Sequence, residues 1–558
     1  VKHTNPFRST FSEDIFNRTY RHTGAETWEE LASVLVDDVC GDYLHQDEIS
    51  EMKRYITEMK FIPGGRYLYY AGRPTKFFNN CYLLRSEEDS REDWAELSKK
   101  VEMCLATGGG IGNDYSVYRP KGSLIRKTGG VASGPIAKIL MINEIGRGVM
   151  QGGSRRSAIY ASLNWKHDDI MDFLRLKNWD EQMVNGAYDL DGNQLSIGDL
   201  KRSDFNYHAP MDMTNISVNF DTDWLMEYWR TKKHDPVFYE TVKQAARTGD
   251  PGFSFNFFEK ENETLRNACT EVTSEDDSDV CNLGSVNMSR ITDLDDFANA
   301  VQLGTLFLLC GTMKAHLPYQ KVHETREKNR RLGLGLMGVH EWLVRNGLKY
   351  EVGEEFERYL KVYKSESDRV ARQGADRFSI SRPVARRAIA PTGTIGIIAG
   401  TTTGIEPLYA VAYKRRYFDN GVWKAQYYVD HMAKELIEQG GLDPESIESA
   451  VDLAGDFERR VKFQADIQRY VDMGISSTIN LPQWGSELNN EDTVGHMAET
   501  IAKYAHLLRG ITFYPDGARG GQPLNSVSYH EAKDLVGQVI EETNDVCDIT
   551  GKGGFCGS

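Results

Sequence analysis

A chain of 558 residues with 40% hydrophobic and 11% aromatic residues can build a large core, and its mixed 27% charge excludes an intrinsically disordered chain. A net charge of -16 excludes a broad cationic groove for nucleic acid or for an anionic membrane face, so any phosphate must be held locally. No stretch has the length of a membrane span, the opening VKHTNPFRSTFSED is no signal peptide, and eight scattered cysteines form no secreted framework, so a cytoplasmic protein with reduced thiols is expected.

In chain order, residues 1–75 predict helices, with apolar positions at helical spacing in WEELASVLVDDVCGDYL and ISEMKRYITEMKFI, broken at Pro63, Gly64 and Gly65. Helices then alternate with strand-like runs such as NNCYLL, NISVNF and NLGSVNM, which predicts α/β architecture with crossover connections. Longer helices are expected near 225–247, 296–316, 354–373 and 496–509. No internal repeat is found. From residue 544 the run NDVCDITGKGGFCGS is Gly-rich, holds Cys547 and Cys556, and predicts a mobile tail.

The segment NACTE sets an amide at Asn267, a thiol at Cys269 and a carboxylate at Glu271. If extended, it points all three side chains to one side, because strand side chains repeat every two residues. A thiol between a hydrogen-bonding amide and a proton acceptor suits work on a hydroxylated carbon. In isolation the string reads more simply as a packed cysteine beside a surface carboxylate. The context argues for chemistry: Cys281 opens CNLGSVNMS just downstream, and Cys81 stands in NNCYLL far upstream. APTGTIG, followed by GTTTGIEP, has a turn-forming PTG with hydroxyls at Thr392 and Thr394, and a helix starting there would add positive potential for a phosphate. Alone, such a string is usually a plain turn. Cys40, Cys104 and Cys310 lie in helix-periodic apolar runs and read as packing.

Together these strings resemble the catalytic chain of the ribonucleotide reductases. The resemblance continues through GGGIGNDYSVYRPKGS, QGGSRRSA, NISVN, GDPG, NRRLGLGLMG, SSTINLP and GITFYPDGARGG, in the family's order, over roughly residues 60–525. It implies an α/β fold, a ten-stranded barrel of the ribonucleotide reductase and glycyl-radical type with a finger loop, over residues 76–525. A helical region without an ATP-binding cone (1–75) would precede it, and a helix with a redox tail (526–558) would follow. By position, Cys269 matches the thiyl-radical cysteine and Cys81 with Cys281 the reducing pair. Asn80, Pro391, Thr392, Gly393, Thr394 and Ile395 match substrate contacts.

Replacing a 2'-hydroxyl with hydrogen is hard because hydroxide leaves poorly, and a radical at the 3' carbon eases that loss. The resemblance implies that the Cys269 radical removes the 3' hydrogen and Glu271 takes the 3'-hydroxyl proton, while Asn267 orients the sugar. Cys81 and Cys281 would then reduce the ribonucleotide and close as a disulfide. Cys547 and Cys556 match a tail pair that passes electrons from thioredoxin or glutaredoxin; the other reading is two exposed thiols or half of a metal site. An effector nucleoside triphosphate at a homodimer interface is expected to act through FNYHAPMDM, with Tyr207, His208 and Met211 as contacts.

The radical must be started by a cofactor or a partner. Tyr514 matches one of two adjacent relay tyrosines in chains that pair with a ferritin-like dimetal subunit, but Pro515 stands where the second belongs. NRRLGLGLMG, GTTTGIEP and SSTINLP are closer to the adenosylcobalamin-dependent chains, whereas the compact, phage-type organisation favours the partner. The expectation is a ribonucleoside-diphosphate reductase driven by a ferritin-like subunit, holding no metal itself, with adenosylcobalamin as the alternative. GKGGFCGS lacks the arginine ahead of the glycine of a glycyl-radical site. A non-catalytic thiol-redox or regulatory scaffold is disfavoured, because no CxxC pair occurs and Cys81, Asn267, Cys269, Glu271 and Cys281 are all present.

Overall fold

The computed structural model describes residues 5–149, 158–204, 206–420, 422–517 and 524–541. Cys547, Cys556 and most of QGGSRRSA lie outside the described residues. The chain opens with helices Thr10–Thr19, Trp28–Cys40 and Gln46–Thr57. Ser9 and Thr27 cap the first two by accepting from backbone N–H groups of the first turn, and Trp28, Leu31, Leu35 and Val39 form a buried stripe on the second. That stripe packs into one core with the helices Leu294–Lys314 and Glu354–Phe378. The boundary expected at residue 75 is therefore not a structural one. A single core crosses it, and strand β1 (Phe61–Pro63) pairs with a strand of the barrel.

The barrel strands are β2 (Cys81–Leu84), β3 (Gly110–Asp114), β4 (Ile159–Asn164), β5 (Thr214–Phe220) and β6 (Gly252–Phe255), then β9 (Asp279–Asn287), β10 (Leu332–Met337), β11 (Thr478–Leu481) and β12 (Gly510–Pro515). Two short strands, β7 (Leu265–Arg266) and β8 (Thr273–Ser274), form a hairpin between β6 and β9. One ten-stranded sheet runs β1–β9–β2–β3–β4–β5–β6–β12–β11, with β10 beside β9. β2 to β6 are mutually parallel, as are β9 with β10 and β11 with β12. The two sets meet antiparallel where β2 lies on β9 and β6 on β12. Bridges Leu334–Arg387 and Ile389–Ile475 carry the ladder from β10 through residues 387–389 to the approach to β11, and so close the ring. The expected barrel is thus present as two parallel halves. β9 is buried along its whole length, as a strand covered on both faces must be.

The helical run expected near 225–247 is two helices, Thr222–Thr231 and Pro236–Thr248, because Lys232 turns left-handed and Asp235 caps a new helix at Pro236. Among the described residues after 526 the helical part is a single turn, Tyr529–Ala532. Around it Leu524–Val527 and Val539–Glu541 flank a hairpin of Ala412–Asp419 and Val422–Val429 as a separate antiparallel sheet. Among the described residues no helix is long and apolar enough to cross a membrane.

Candidate active site

The β7–β8 hairpin is a finger inserted into the barrel, and NACTE is its tip. The tip is not extended. The Thr270 N–H donates to the Asn267 carbonyl at 3.0 Å and Thr270 has φ 71°, so the alternation expected of a strand gives way to a turn. Side-chain bonds hold this turn instead. Asn267 accepts the Val272 N–H at 3.0 Å and donates through Nδ2 to Cys81 Sγ at 3.0 Å, while Asn215 Nδ2 donates to the Ala268 carbonyl at 3.2 Å. Two glycines make room in the wall. A Cβ on Gly112 would stand 1.6 Å from the Arg266 carbonyl oxygen, and one on Gly474 2.6 Å from that of Thr270. Gly474 also donates its N–H to the Glu271 carbonyl at 2.7 Å. At the finger's root, the buried Arg266 guanidinium donates to Asn256 Oδ1 at 2.6 Å.

Cys81 and Cys281 are direct cross-strand partners in the β2–β9 ladder. Such residues stand ~4.5–5.5 Å apart at Cα with side chains on the same face, inside the ~7 Å reach of a disulfide. Both lie in a small apolar cluster with Leu83, Leu283 and Met473. Burial pushes both thiols well above the ordinary thiol range, so at neutral pH they are protonated hydrogen donors. They differ in access: Cys81 lines the cavity, whereas Cys281 stands behind it, near the buried pair Arg331–Asp279 at 2.7 Å.

Glu271 is 1% exposed, and burial pushes its carboxyl up to about 7, against the opposing hydrogen bond from Asn267. A carboxyl that titrates near neutrality is suited to take and return a proton. Among the described residues its Oε2 has no partner, nor have Asn80 Oδ1 and Arg66 Nε, and all three residues line one cavity of about 190 Å³. Buried polar atoms left unsatisfied around one cavity point to a ligand that completes them. The same cavity is lined by Asn267, Cys269 and Pro391 to Ile395. Cys269 itself is exposed.

The helix Gly393–Ala399 follows directly, entered through a left-handed Thr392 whose hydroxyl accepts the Gly404 N–H at 2.8 Å. Its last carbonyls are met by the N-terminal region: Ser12 donates to Ile397 O, Arg8 to Gly400 O, and Arg290 of the barrel to Ala399 O. Cations at its C-terminus reinforce a positive N-terminus at the cavity. Sequence reasoning missed Arg66, Tyr20 and this clamp. Their one signal, the Gly64–Gly65–Arg66 run, read as a mere helix break.

The remaining expected site residues fall elsewhere. Tyr514, near the end of β12, is half-buried and does not line the 190 Å³ cavity. Tyr207 and His208 are accessible. Met211 is not: it is 0% exposed, with φ 59°, and packs into the core, so the structure corrects its assignment as a nucleotide contact. Cys40, Cys104 and Cys310 are buried, as packing residues should be.

Residues 79–364 and 381–514 match the family described as ribonucleotide reductase, barrel domain. A vitamin B12-dependent ribonucleoside-diphosphate reductase of Mycobacterium tuberculosis is 29% identical, over 88% of this chain and 73% of its own length. One of the same description from Thermoplasma acidophilum is 27% identical, over 88% of this chain and 68% of its own. Among solved structures, the Actinobacillus ureae class Id ribonucleotide reductase alpha subunit superposes with a TM-score of 0.70 at 17% identity, covering 92% of this chain and 99% of that one.

Proposed function

The chain belongs to the ribonucleotide reductase barrel-domain family, and from that premise we propose that it reduces ribonucleoside diphosphates to 2'-deoxyribonucleotides through a thiyl radical on Cys269 that adenosylcobalamin initiates. The observation that carries the reaction is the convergence of Cys81, Asn267, Cys269, Glu271 and residues 390–395 on one cavity. Substrate phosphates meet the first-turn N–H groups of the helix Gly393–Ala399. Asn80 and Arg66 use their unpartnered atoms on the nucleotide.

Cys269 takes the 3' hydrogen, and Glu271 accepts the 3'-hydroxyl proton, its titration near 7 letting it hold and return that proton. The neutral Cys81 and Cys281 thiols give up two protons and two electrons. The 2' oxygen leaves as water, the pair closes as a disulfide, and Cys269 returns its hydrogen to the 3' carbon. Cys547 and Cys556 are proposed to reopen the disulfide by exchange, fed by a thioredoxin-type protein. An effector triphosphate is proposed to tune substrate choice through Tyr207 and His208, which a change of base preference with effector would reveal.

Adenosylcobalamin, when bound, supplies the one-electron oxidation of the Cys269 thiol. Cys269 is open to such a group, being exposed, and Ala158 borders both the substrate cavity and a second cavity of about 440 Å³. Pro515 in place of a second relay tyrosine, and B12-dependent relatives that span most of the chain, support this source over the partner subunit that compactness favoured. One observation favours the partner reading. Tyr409 lies within electrostatic reach of Tyr514, 6.4 Å between ring centres from Tyr413, which stacks at 5.3 Å on Tyr428, a series of four half-buried tyrosines.

The test is turnover of the purified chain with effector and dithiol. Activity on adding adenosylcobalamin alone supports the proposal. Silence there, followed by activity with a dimetal subunit, overturns it in favour of the tyrosine series.

A further inference from the structure

The parallel strands of the barrel meet the substrate cavity at one end and a separate hollow at the other. Ala158, just ahead of β4, lines the substrate cavity. Asn164 at the end of β4, with Asn219 and Phe220 at the end of β5, lines a cavity of about 600 Å³ at the opposite mouth. The two cavities share no lining residue. Asn256, just past β6, and Thr264, at the root of the finger, continue the wall of the second. Both are tied into the fold: Asn256 Oδ1 accepts from the Arg266 guanidinium at 2.6 Å, and the Thr264 hydroxyl donates to Asp114 at 2.6 Å. The volume is that of a small-molecule pocket.

The wall is acidic. Asp221, Glu261, Glu275 and Asp276 line it against a single cation, Arg85, which itself lies 3.6 Å from Glu87. Asp221 accepts the Trp165 indole N–H at 2.9 Å, and Asp276 takes Lys328 at 3.2 Å and Asn329 at 2.8 Å. Glu261 and Glu275 are exposed, and among the described residues neither carboxylate has a cation or a hydrogen-bond donor. Acidic residues at a rim can simply face water. The buried part of the wall argues for a ligand. Asn219 is 1% exposed; its amide nitrogen donates to Ser162 Oγ at 3.0 Å, while its Oδ1 has no partner among the described residues. A buried acceptor is costly to leave open and is satisfied when a ligand brings a donor. The carboxylates at the rim and the amide oxygen within call for the same group, a cationic N–H donor.

A bare metal ion does not meet that call, since among the described residues no three His, Cys, Asp or Glu side chains are placed to hold one. The carboxylates come from three separate segments, the end of β5, the approach to β7 and the connection from β8 to β9. That spread suits positive charges carried at intervals along one flexible chain, with Phe220 as apolar contact for the methylenes between them. We infer that this cavity binds a linear aliphatic polyamine, with its ammonium groups on Asp221, Glu261 and Glu275 and one N–H on Asn219 Oδ1. The ligand lies against the root of the finger that carries Cys269, away from the substrate and from the radical source.

Equilibrium dialysis of labelled spermidine against the full chain tests it, at about 0.15 M salt, where diffuse attraction is screened beyond about 8 Å. Saturable binding is expected, and spermidine should raise the melting temperature. Replacing Glu261→Gln and Glu275→Gln together should weaken binding about tenfold or more, the worth of one charge-assisted hydrogen bond, and remove the rise. Both side chains are exposed, so this double variant should melt with the parent when spermidine is withheld. The same loss of two charges by Glu354→Gln and Glu355→Gln, at the exposed start of the helix Glu354–Phe378, should leave the affinity within twofold. Three results would overturn the assignment. Binding that does not saturate would deny a site. Equal weakening in the two double variants would reduce it to attraction by the net charge of -16. Displacement of spermidine by an equal concentration of Mg²⁺ would make it a surface for any small cation.

Discussion

Cys81 and Cys281 sit opposite one another on regular strands, whereas Cys269 sits on the turn at the finger's tip, beyond the short β7–β8 ladder. The two arrangements answer different demands. A pair that must open and close a sulfur–sulfur bond needs a separation that does not drift, and a ladder between halves of a closed barrel supplies it. A thiol that must be oxidised from one side and act on substrate from the other needs exposure, and a turn held by Asn267, Asn215 and Gly474 supplies that. In the proposed reaction, rigidity goes with the reductant and access with the radical carrier.

The sharpest break of this comparison is Cys269→Ser. A serine hydroxyl cannot carry the radical at accessible cost, so turnover should fall to background while nucleotide binding, measured by equilibrium dialysis, is unchanged. Cys81→Ser and Cys281→Ser should instead block normal reduction with Cys269 intact. Full activity in either would dissolve the division of labour.

Glu271→Gln comes next, with a loss of about 10²–10⁴ in kcat, the range for a positioned general base. Its pH profile separates chemistry from packing. Activity of the parent chain should rise as pH climbs through about 7 and Glu271 loses its proton, and the variant should lack that limb. The stability sign is opposite. Because folding raises this pKa from 4.5 to about 7, the folded state binds the proton more tightly, and the parent loses stability as pH rises through that window. Glu271→Gln should flatten this loss in thermal melts.

Smaller effects come from the supports. Gly112→Ala should destabilise by about 3 kcal/mol or more, since its Cβ meets a backbone oxygen of the finger's root. Gly474→Ala should cost less, at its wider 2.6 Å approach. Asn215→Ala, which removes a single bond to the tip, should cost about 1 kcal/mol. If the two glycine variants melt like the parent, the finger is not wedged as described.

The sequence shows the chemistry better than the geometry. Cys81 and Cys281 stand in strand-like runs whose apolar patterning predicts their elements, and strands fix register, so their pairing follows once the halves meet. NACTE shows its functional groups as plainly, yet its shape is set by Cys81, Asn215 and Gly474, each far away in the chain. Local pattern cannot carry that. The same holds for the stretch 387–389, which completes the ring through isolated bridges without a strand-like run of its own, and for Arg8 and Ser12, which reach the helix Gly393–Ala399 only through the fold. Met211 was misread because its loop turns left-handed there and buries the side chain.

The most direct test of the central claim is a turnover experiment without external reductant. A Cys547→Ser, Cys556→Ser variant would confine electrons to the barrel, and peptide mapping after reaction with substrate and adenosylcobalamin would locate the oxidised sulfurs. The account predicts deoxynucleotide and a Cys81–Cys281 disulfide in equal amounts, with Cys269 still a thiol. Product formed without that disulfide, or a disulfide that includes Cys269, would contradict it.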